Sequence, residues 1–396
     1  MAKNSKFKRP APFKGETSTG KSPAGKFSKG KSRAQKLGDL SKLSKVSGKG
    51  DVESAPQKAN KQSDKPKRLA PAKHRLAETI GLILESAPDK NYALLDSGDG
   101  QKLERYENYR IIRPEAQAIW QKSLSPKEWQ NVDAMFTGDT DEEGMGRWAF
   151  PKKQLNETWP MAFDGVPFLG RFTSFRHTGV FPEQAAHWRF MVDVLKIAQK
   201  DKNRKDRPKV LNLFGYTGVA SLVAANAGAH VTHVDASKKA IGWAKENQEL
   251  AGLEDKPIRW ICEDAVKFCE REVRRGNTYD AILLDPPAYG RGPKGEVWQM
   301  FEDCPHLVDL CKQLMSKDPL FVVLTSYAIR ASFLSIHELM QEVFGDMRGE
   351  LHSGELIIRT EKSERKLSTS MFSRWIPSKI VNTLVDRTSN KGSNNE

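Results

Sequence analysis

The sequence lacks any apolar run near the ~20 residues needed to cross a membrane, and it has no charged-then-apolar start of the secretory type. A soluble, unexported, cytoplasmic protein is the expectation. Cysteine is scarce: Cys262, Cys269, Cys304 and Cys311 form no pair-plus-pair set. That spacing excludes a zinc framework and a disulfide scaffold, and leaves scattered reduced thiols. The histidines show no ligand spacing either, so no metal is expected. Acidic residues are sparse at the start of the chain. Residues 1–75 carry 21 Lys or Arg against Glu16, Asp39, Asp51, Glu53 and Asp64, a net +16 in a chain of +14, which leaves the remainder at −2.

That basic stretch also lacks apolar periodicity, being rich in Lys, Ser, Gly, Pro and Ala with three isolated phenylalanines, Phe7, Phe13 and Phe27. It cannot bury enough surface to offset the entropy of ordering, so residues 1–75 are expected to be a disordered tail, as is the short polar end at 385–396. One-signed charge at this density attracts nucleic-acid phosphates without sequence preference. A solubilising linker is the other reading.

Residues 76–176 change to short β-rich pieces. Tyr92-Ala-Leu-Leu-Asp96 and the piece 102–113 flank Ser97-Gly-Asp-Gly100, a hairpin signal. Pro114 and the spacing of residues 115–122 predict a helix. Further strands are expected at 132–137, 145–151, 158–163 and 166–172, with Asp164-Gly165 as a turn. Together they make a small α+β module, expected to serve RNA or substrate recognition.

Residues 177–384 alternate. A helix to about Lys200 with Trp188, Met191, Val194 and Leu195 on its inward face precedes the continuous apolar run Val210-Leu-Asn-Leu-Phe-Gly215, which suits a strand buried on both faces. Gly215 and Gly218 bracket a tight turn into a helix, and a second strand, His230-Val-Thr-His-Val-Asp235, ends on a carboxylate about twenty residues on. That layout fits an adenosine-bearing ligand at the carboxyl ends of parallel strands, with Asp235 accepting from ribose hydroxyls. The glycines do not spell the dinucleotide pattern. Strands at 258–262, 279–284 and 320–325 alternate with helices at 238–251, 265–275, 301–315 and 332–344. A terminal pair at 355–359 and 367–375 has no helix between its strands. The predicted fold is a Rossmann-like α/β doubly wound sheet with an antiparallel edge hairpin.

The strand at 279–284 ends in Asp285-Pro-Pro-Ala-Tyr289. With Phe214, Tyr216, Thr217 and Gly218 of the glycine turn, this resembles the class I S-adenosylmethionine-dependent methyltransferases, and among them those that modify bases of large-subunit ribosomal RNA. The resemblance is strong over residues 176–375. It implies that Phe214, Gly215, Tyr216, Thr217 and Gly218 wrap the methionine part of S-adenosylmethionine, that Asp235 holds its ribose, and that Asp264 lies by the adenine. Asp264 also reads as a plain helix cap. The segment Thr178-Gly-Val-Phe181 with Gln184 is similar to the family's cofactor-bordering loop, although Ala185 replaces the Arg that follows the Gln in relatives.

Methylating a cytosine carbon needs a Cys thiolate adding to the ring. Relatives that do so carry the Cys at the end of strand five, where this chain reads Thr325-Ser326-Tyr327. A base nitrogen needs only orientation, which the carboxylate of Asp285, the carbonyl of Pro286 and stacking by Tyr289 would provide. The expectation is therefore methylation of a base nitrogen in ribosomal or other structured RNA. Two alternatives stand beside it: a protein or small-molecule methyltransferase, and a non-catalytic RNA-binding assembly factor that keeps the fold. Arg291-Gly-Pro-Lys-Gly295 reads either as a phosphate grip or as a plain surface loop.

Overall fold

The computed structural model describes residues 66–137, 146–327, 329–363 and 365–384. The basic tail up to residue 65 and the end at 385–396 lie outside the described residues. In chain order the elements begin with β1 (Ala77–Ser86), β2 (Tyr92–Gly98), β3 (Gln101–Tyr106), β4 (Tyr109–Pro114), α1 (Pro126–Gln130), β5 (Ala134–Phe136), β6 (Trp148–Ala149), β7 (Thr158–Phe163) and β8 (Val166–Arg171). Then come α2 (Ala185–Lys200), β9 (Lys209–Leu213), α3 (Val219–Asn226), β10 (His230–Asp235), α4 (Lys238–Leu250), β11 (Ile258–Cys262), α5 (Ala265–Arg274) and β12 (Ala281–Leu284). A small hairpin of β13 (Tyr289–Arg291) and β14 (Val297–Gln299) follows. The chain continues through α6 (Met300–Gln313), β15 (Phe321–Ser326), α7 (Phe333–Phe344), β16 (Gly349–Arg359) and β17 (Lys366–Pro377).

The large sheet runs β1-β16-β17-β15-β12-β9-β10-β11. Strands β9, β10, β11, β12 and β15 are mutually parallel, while β17 is antiparallel to both β15 and β16. This is the expected doubly wound sheet with its antiparallel hairpin. The central strands are covered on both faces. Val210, Ala281, Leu283, Phe321 and Val323 belong to the core shared with α2 and α3, whereas Leu211, Leu213, Ile282, Leu284, Val322 and Leu324 belong to the one shared with α5, α6 and α7. Period-two alternation with both sets apolar explains why the strands read as continuous hydrophobic runs.

Four expectations need correction. First, β1 lies at the edge of the large sheet, parallel to β16, and not in the small module. Second, the piece 102–113 is two strands, β3 and β4, separated by a turn with Glu107 at φ 51°. Third, residues 115–122 form no helix. Their carbonyls are claimed elsewhere: the Asp99 and Gly100 amides donate to the carbonyls of Trp120 and Ala118, and just past the segment Asp96 accepts from the amides of Ser123 and Leu124. The helix comes later, as α1, where Ser125 and Glu128 form a reciprocal capping box. Fourth, residues 66–75 dock on α6 and α7. Arg68 pairs with the buried Asp309 and, at 2.9 Å, with Glu342, and Arg75 lies 2.8 Å from Glu338. A buried carboxylate needs a cationic partner, and composition alone could not reveal that one waited on α6.

Candidate active site

Strand register aligns the chemistry-bearing residues. Leu213 pairs with Val234 on one side and Leu284 on the other, and Leu284 pairs in turn with Leu324. The next residue on each strand is therefore Phe214, Asp235, Asp285 and Thr325, one row at the carboxyl ends. The chain leaves β9 toward β10 in one direction and later fills β12 on its other side. That makes a topological switch point, where open α/β sheets bind ligands.

After β9 the turn is tight. Phe214 and Tyr216 take left-handed φ values of 56° and 51°, unusual for aromatic residues and a local strain of order 1–3 kcal/mol each. The strain is held from outside: the Tyr216 amide donates to Asp235 Oδ2 at 2.9 Å, and Thr217 Oγ1 donates to the Gly179 carbonyl at 2.6 Å. A Cβ on Gly215 would meet the His233 ring at 2.4 Å, and one on Gly218, at φ 81°, would meet Ala244 Cβ at 2.9 Å. Gly218 then caps α3, whose first amides open toward the turn.

The loop at residues 176–184 closes the other side. Arg113 Nη1 donates to the Arg176 carbonyl at 3.0 Å, and the Arg171 amide donates to the Thr178 carbonyl. At its far end Gln184 Nε2 donates to Asp285 Oδ2 at 3.0 Å, while Asp285 Oδ1 is buried with no partner. The Phe181 ring lies 6.0 Å from Tyr216 and 5.2 Å from Tyr327. Burial pushes the Asp285 carboxyl well above the usual carboxylate range, and the nearby Glu183 adds to the rise, opposed by the Gln184 bond. Asp235 is also raised by burial, although the Ser237 and Tyr216 amides pull the other way. The Tyr216 phenol is pushed up to about 12 by burial and by Asp235.

These groups border a cavity of about 550 Å³ whose wall includes Phe181, Phe214, Asp235, Asp264, Asp285 and Tyr289. A recess of about 80 Å³ beside it takes in Gln184, Gly215 and Thr217. Two of the expected site residues stand differently. Pro286 is buried and is not a wall residue, while Pro287 is, with its carbonyl accepting from Trp298 Nε1 at 2.7 Å. Gly218 lies beneath the turn, against Ala244 and Trp260. Asp264 is both wall residue and cap: its carboxylate accepts from the Lys267 amide at 3.0 Å. Sequence reading missed Phe175, His177, Trp298 and Tyr327 as wall residues. Only Tyr327 had a signal, its place just past the carboxyl end of β15.

The dimensions and donor set suit an adenosyl cofactor. Each Asp235 oxygen accepts one amide, from Tyr216 and Ser237, so lone pairs remain for hydroxyl donors. Two glycines keep the turn thin where a ligand backbone must approach. Fold and site together define a class I, nucleoside-cofactor transferase architecture.

Comparison with known proteins narrows the class. A crystal structure of a SAM-dependent methyltransferase from Agrobacterium tumefaciens is 57% identical, with a TM-score of 0.74 over 78% of this chain and 98% of that one. The chain belongs to the SAM-dependent methyltransferases. A structure assigned to the same class from Streptococcus mutans shares the fold at 16% identity, with a TM-score of 0.54 over 72% of this chain and 75% of that one. Residues 194–307 match the family model described as "Conserved hypothetical protein 95". Over 134 residues the chain is 37% identical to the ribosomal RNA large subunit methyltransferase K/L of Shewanella baltica, which is 33% of this chain and 17% of that relative's length. Among the described residues no helix is long and apolar enough to cross a membrane.

Proposed function

We propose that this protein transfers a methyl group from S-adenosylmethionine to a base nitrogen of ribosomal or other structured RNA in the cytoplasm. The observation that carries the reading is Asp285: half-buried, tethered through one oxygen by Gln184, with its second oxygen buried and unpartnered beside a cavity rimmed by Tyr289. The name of the Shewanella relative supports RNA as substrate.

Phe181, Gln184 and the Phe214–Thr217 turn would hold the methionine part of the cofactor, Asp235 its ribose and Asp264 its adenine. When bound, the cofactor supplies an electrophilic methyl group on a positively charged sulfur that becomes neutral on transfer. The protein's part is orientation and exclusion of water. Asp285 Oδ1 accepts an N–H of the target amine, which directs the nitrogen lone pair toward the methyl group. Tyr289, 38% exposed, offers a face on which an extruded base stacks, worth on the order of 1–3 kcal/mol. Carbon methylation needs a thiolate at the cavity, and no cysteine is among its wall residues: Cys262 is exposed outside it, and Cys269, Cys304 and Cys311 are buried in the core between the sheet and α5–α6, where burial raises the Cys304 thiol far above its ordinary range.

The test is nucleoside mass spectrometry of rRNA and tRNA incubated with the protein and isotopically labelled S-adenosylmethionine. Label in an N-methylated nucleoside is the expected result. Label only in C5-methylpyrimidines, or only in protein, would overturn the reading.

A further inference from the structure

A second cavity, of about 60 Å³, adjoins the reaction cavity and shares His177, Phe181 and Tyr327 with it. Its remaining walls come from separate parts of the chain. Lys102, Arg113 and Glu115 belong to β3, β4 and the residue after β4. Arg176 and Glu183 come from the loop, and Thr369 from β17. At the ~10–15 Å³ that one water-sized probe takes, it has room for a tetrahedral oxyanion and not for a second base with its sugar. Its lining is mostly charged and hydrogen-bonding, unlike the aromatic rim next door.

The charge in it leans positive. Three cations, Lys102, Arg113 and Arg176, line it against two carboxyl groups, Glu115 and Glu183. Lys102 lies 3.0 Å from Glu115, Arg113 grips Glu104, and burial pushes the Glu183 carboxyl up. Burial first, and then Arg113, Arg176 and Lys102, drive the His177 imidazole down to about 3, so that wall is a neutral hydrogen-bonding group.

We propose that this cavity binds an oxyanion through Arg176 and Lys102: the phosphodiester adjoining the nucleotide whose base reaches Asp285. The inference rests on the RNA reading above. Phe181 and Tyr327 then act as a partition, with the base on the Asp285 side and its backbone phosphate on the Arg176 side. The alternative source of the same chemistry is the carboxylate of the cofactor's methionine part, and the experiment separates the two.

The full chain, Arg176→Ala and Arg176→Lys are titrated with a fluorescent fragment of large-subunit rRNA between 50 and 200 mM salt. Calorimetry with S-adenosylmethionine and thermal unfolding run alongside. The expected result for Arg176→Ala is about tenfold weaker RNA binding and a log–log salt slope lower by about one phosphate contact. Cofactor affinity should be unchanged, thermal unfolding should show that the variant is folded, and the slope should return in Arg176→Lys. Unchanged RNA affinity and slope in a folded Arg176→Ala would overturn the subsite, and a loss of cofactor affinity alone would assign the cavity to the methionine carboxylate. A wild-type chain that binds no RNA would remove the RNA reading itself, and the subsite with it.

Discussion

Replacing Asp285 by Ala and by Asn separates cofactor binding from transfer. In the structure its Oδ2 is engaged by Gln184 and its Oδ1 is unpartnered, so one oxygen is available to a substrate N–H. Burial favours the neutral carboxyl, so losing one hydrogen bond to it costs about 0.5–1.5 kcal/mol, or roughly 2- to 10-fold in rate. Misalignment of the amine adds a factor on the order of 10². Asp285→Ala should therefore lower kcat/KM for RNA by roughly 10²–10³. Asp285→Asn keeps a weaker acceptor and should fall between Ala and wild type. The Kd for S-adenosylmethionine should stay within about threefold, because Asp235 and the glycine turn remain. Label transfer to RNA measures the first quantity and calorimetry the second. An Asp285→Ala variant with kcat/KM near wild type would refute the assignment, as would one that lost transfer only because it no longer bound cofactor.

Asp235→Ala should weaken cofactor binding by about 1.5–3 kcal/mol, the scale of a charged acceptor; calorimetry checks it, and unchanged affinity removes Asp235 from the ribose. Gly218→Val puts a branched residue at φ 81° with its Cβ 2.9 Å from Ala244 Cβ, so a loss of about 2 kcal/mol or more, read as a melting temperature lower by several degrees, is expected. Glu104 provides a pH test. Burial works to raise its carboxyl, but Arg113 and Lys102 outweigh it and hold the group down to about 2. Its contribution, about 3 kcal/mol, is thus present above pH 4.5 and lost as pH falls toward 2. Urea unfolding of Glu104→Gln should show a shallower decline with pH in that window, and a profile parallel to wild type would refute the pairing.

What could be read from the chain was whatever declares itself within a dozen neighbouring residues. The run 210–215 is apolar at every position but Asn212, Gly218 sits where φ is positive, and Asp285 follows four buried apolar residues. Each signal is local, so β9, β12 and the cofactor turn were legible together with their order. The failures share the opposite cause. Nothing near residues 115–122 shows that the amides of Asp99 and Gly100, about twenty residues earlier, will take the carbonyls of Trp120 and Ala118. Nothing near Arg68 points to Asp309. The edge position of β1 is set by β16, some 270 residues on, and the wall residues Phe175, His177 and Tyr327 become neighbours only when the loop folds over the row of strand ends.

That loop is the joint on which the whole site depends. Arg113, itself held by Glu104 through Nε at 2.6 Å and through Nη2 at 2.7 Å, fixes the carbonyl of Arg176. Eight residues later Gln184 fixes Asp285, and between them the Gly179 carbonyl accepts from Thr217 of the cofactor turn. Three hydrogen bonds from one nine-residue segment thus reach the small sheet, the turn after β9 and the carboxylate after β12. Each is individually worth about 1 kcal/mol, too little to hold a loop alone. They act together because Arg113 and Thr217 are buried and Asp285 is half-buried, so releasing one contact leaves a polar group unpaired away from water. A polar loop preceding the sheet by some thirty residues thereby becomes part of the same rigid centre as the strand ends it covers.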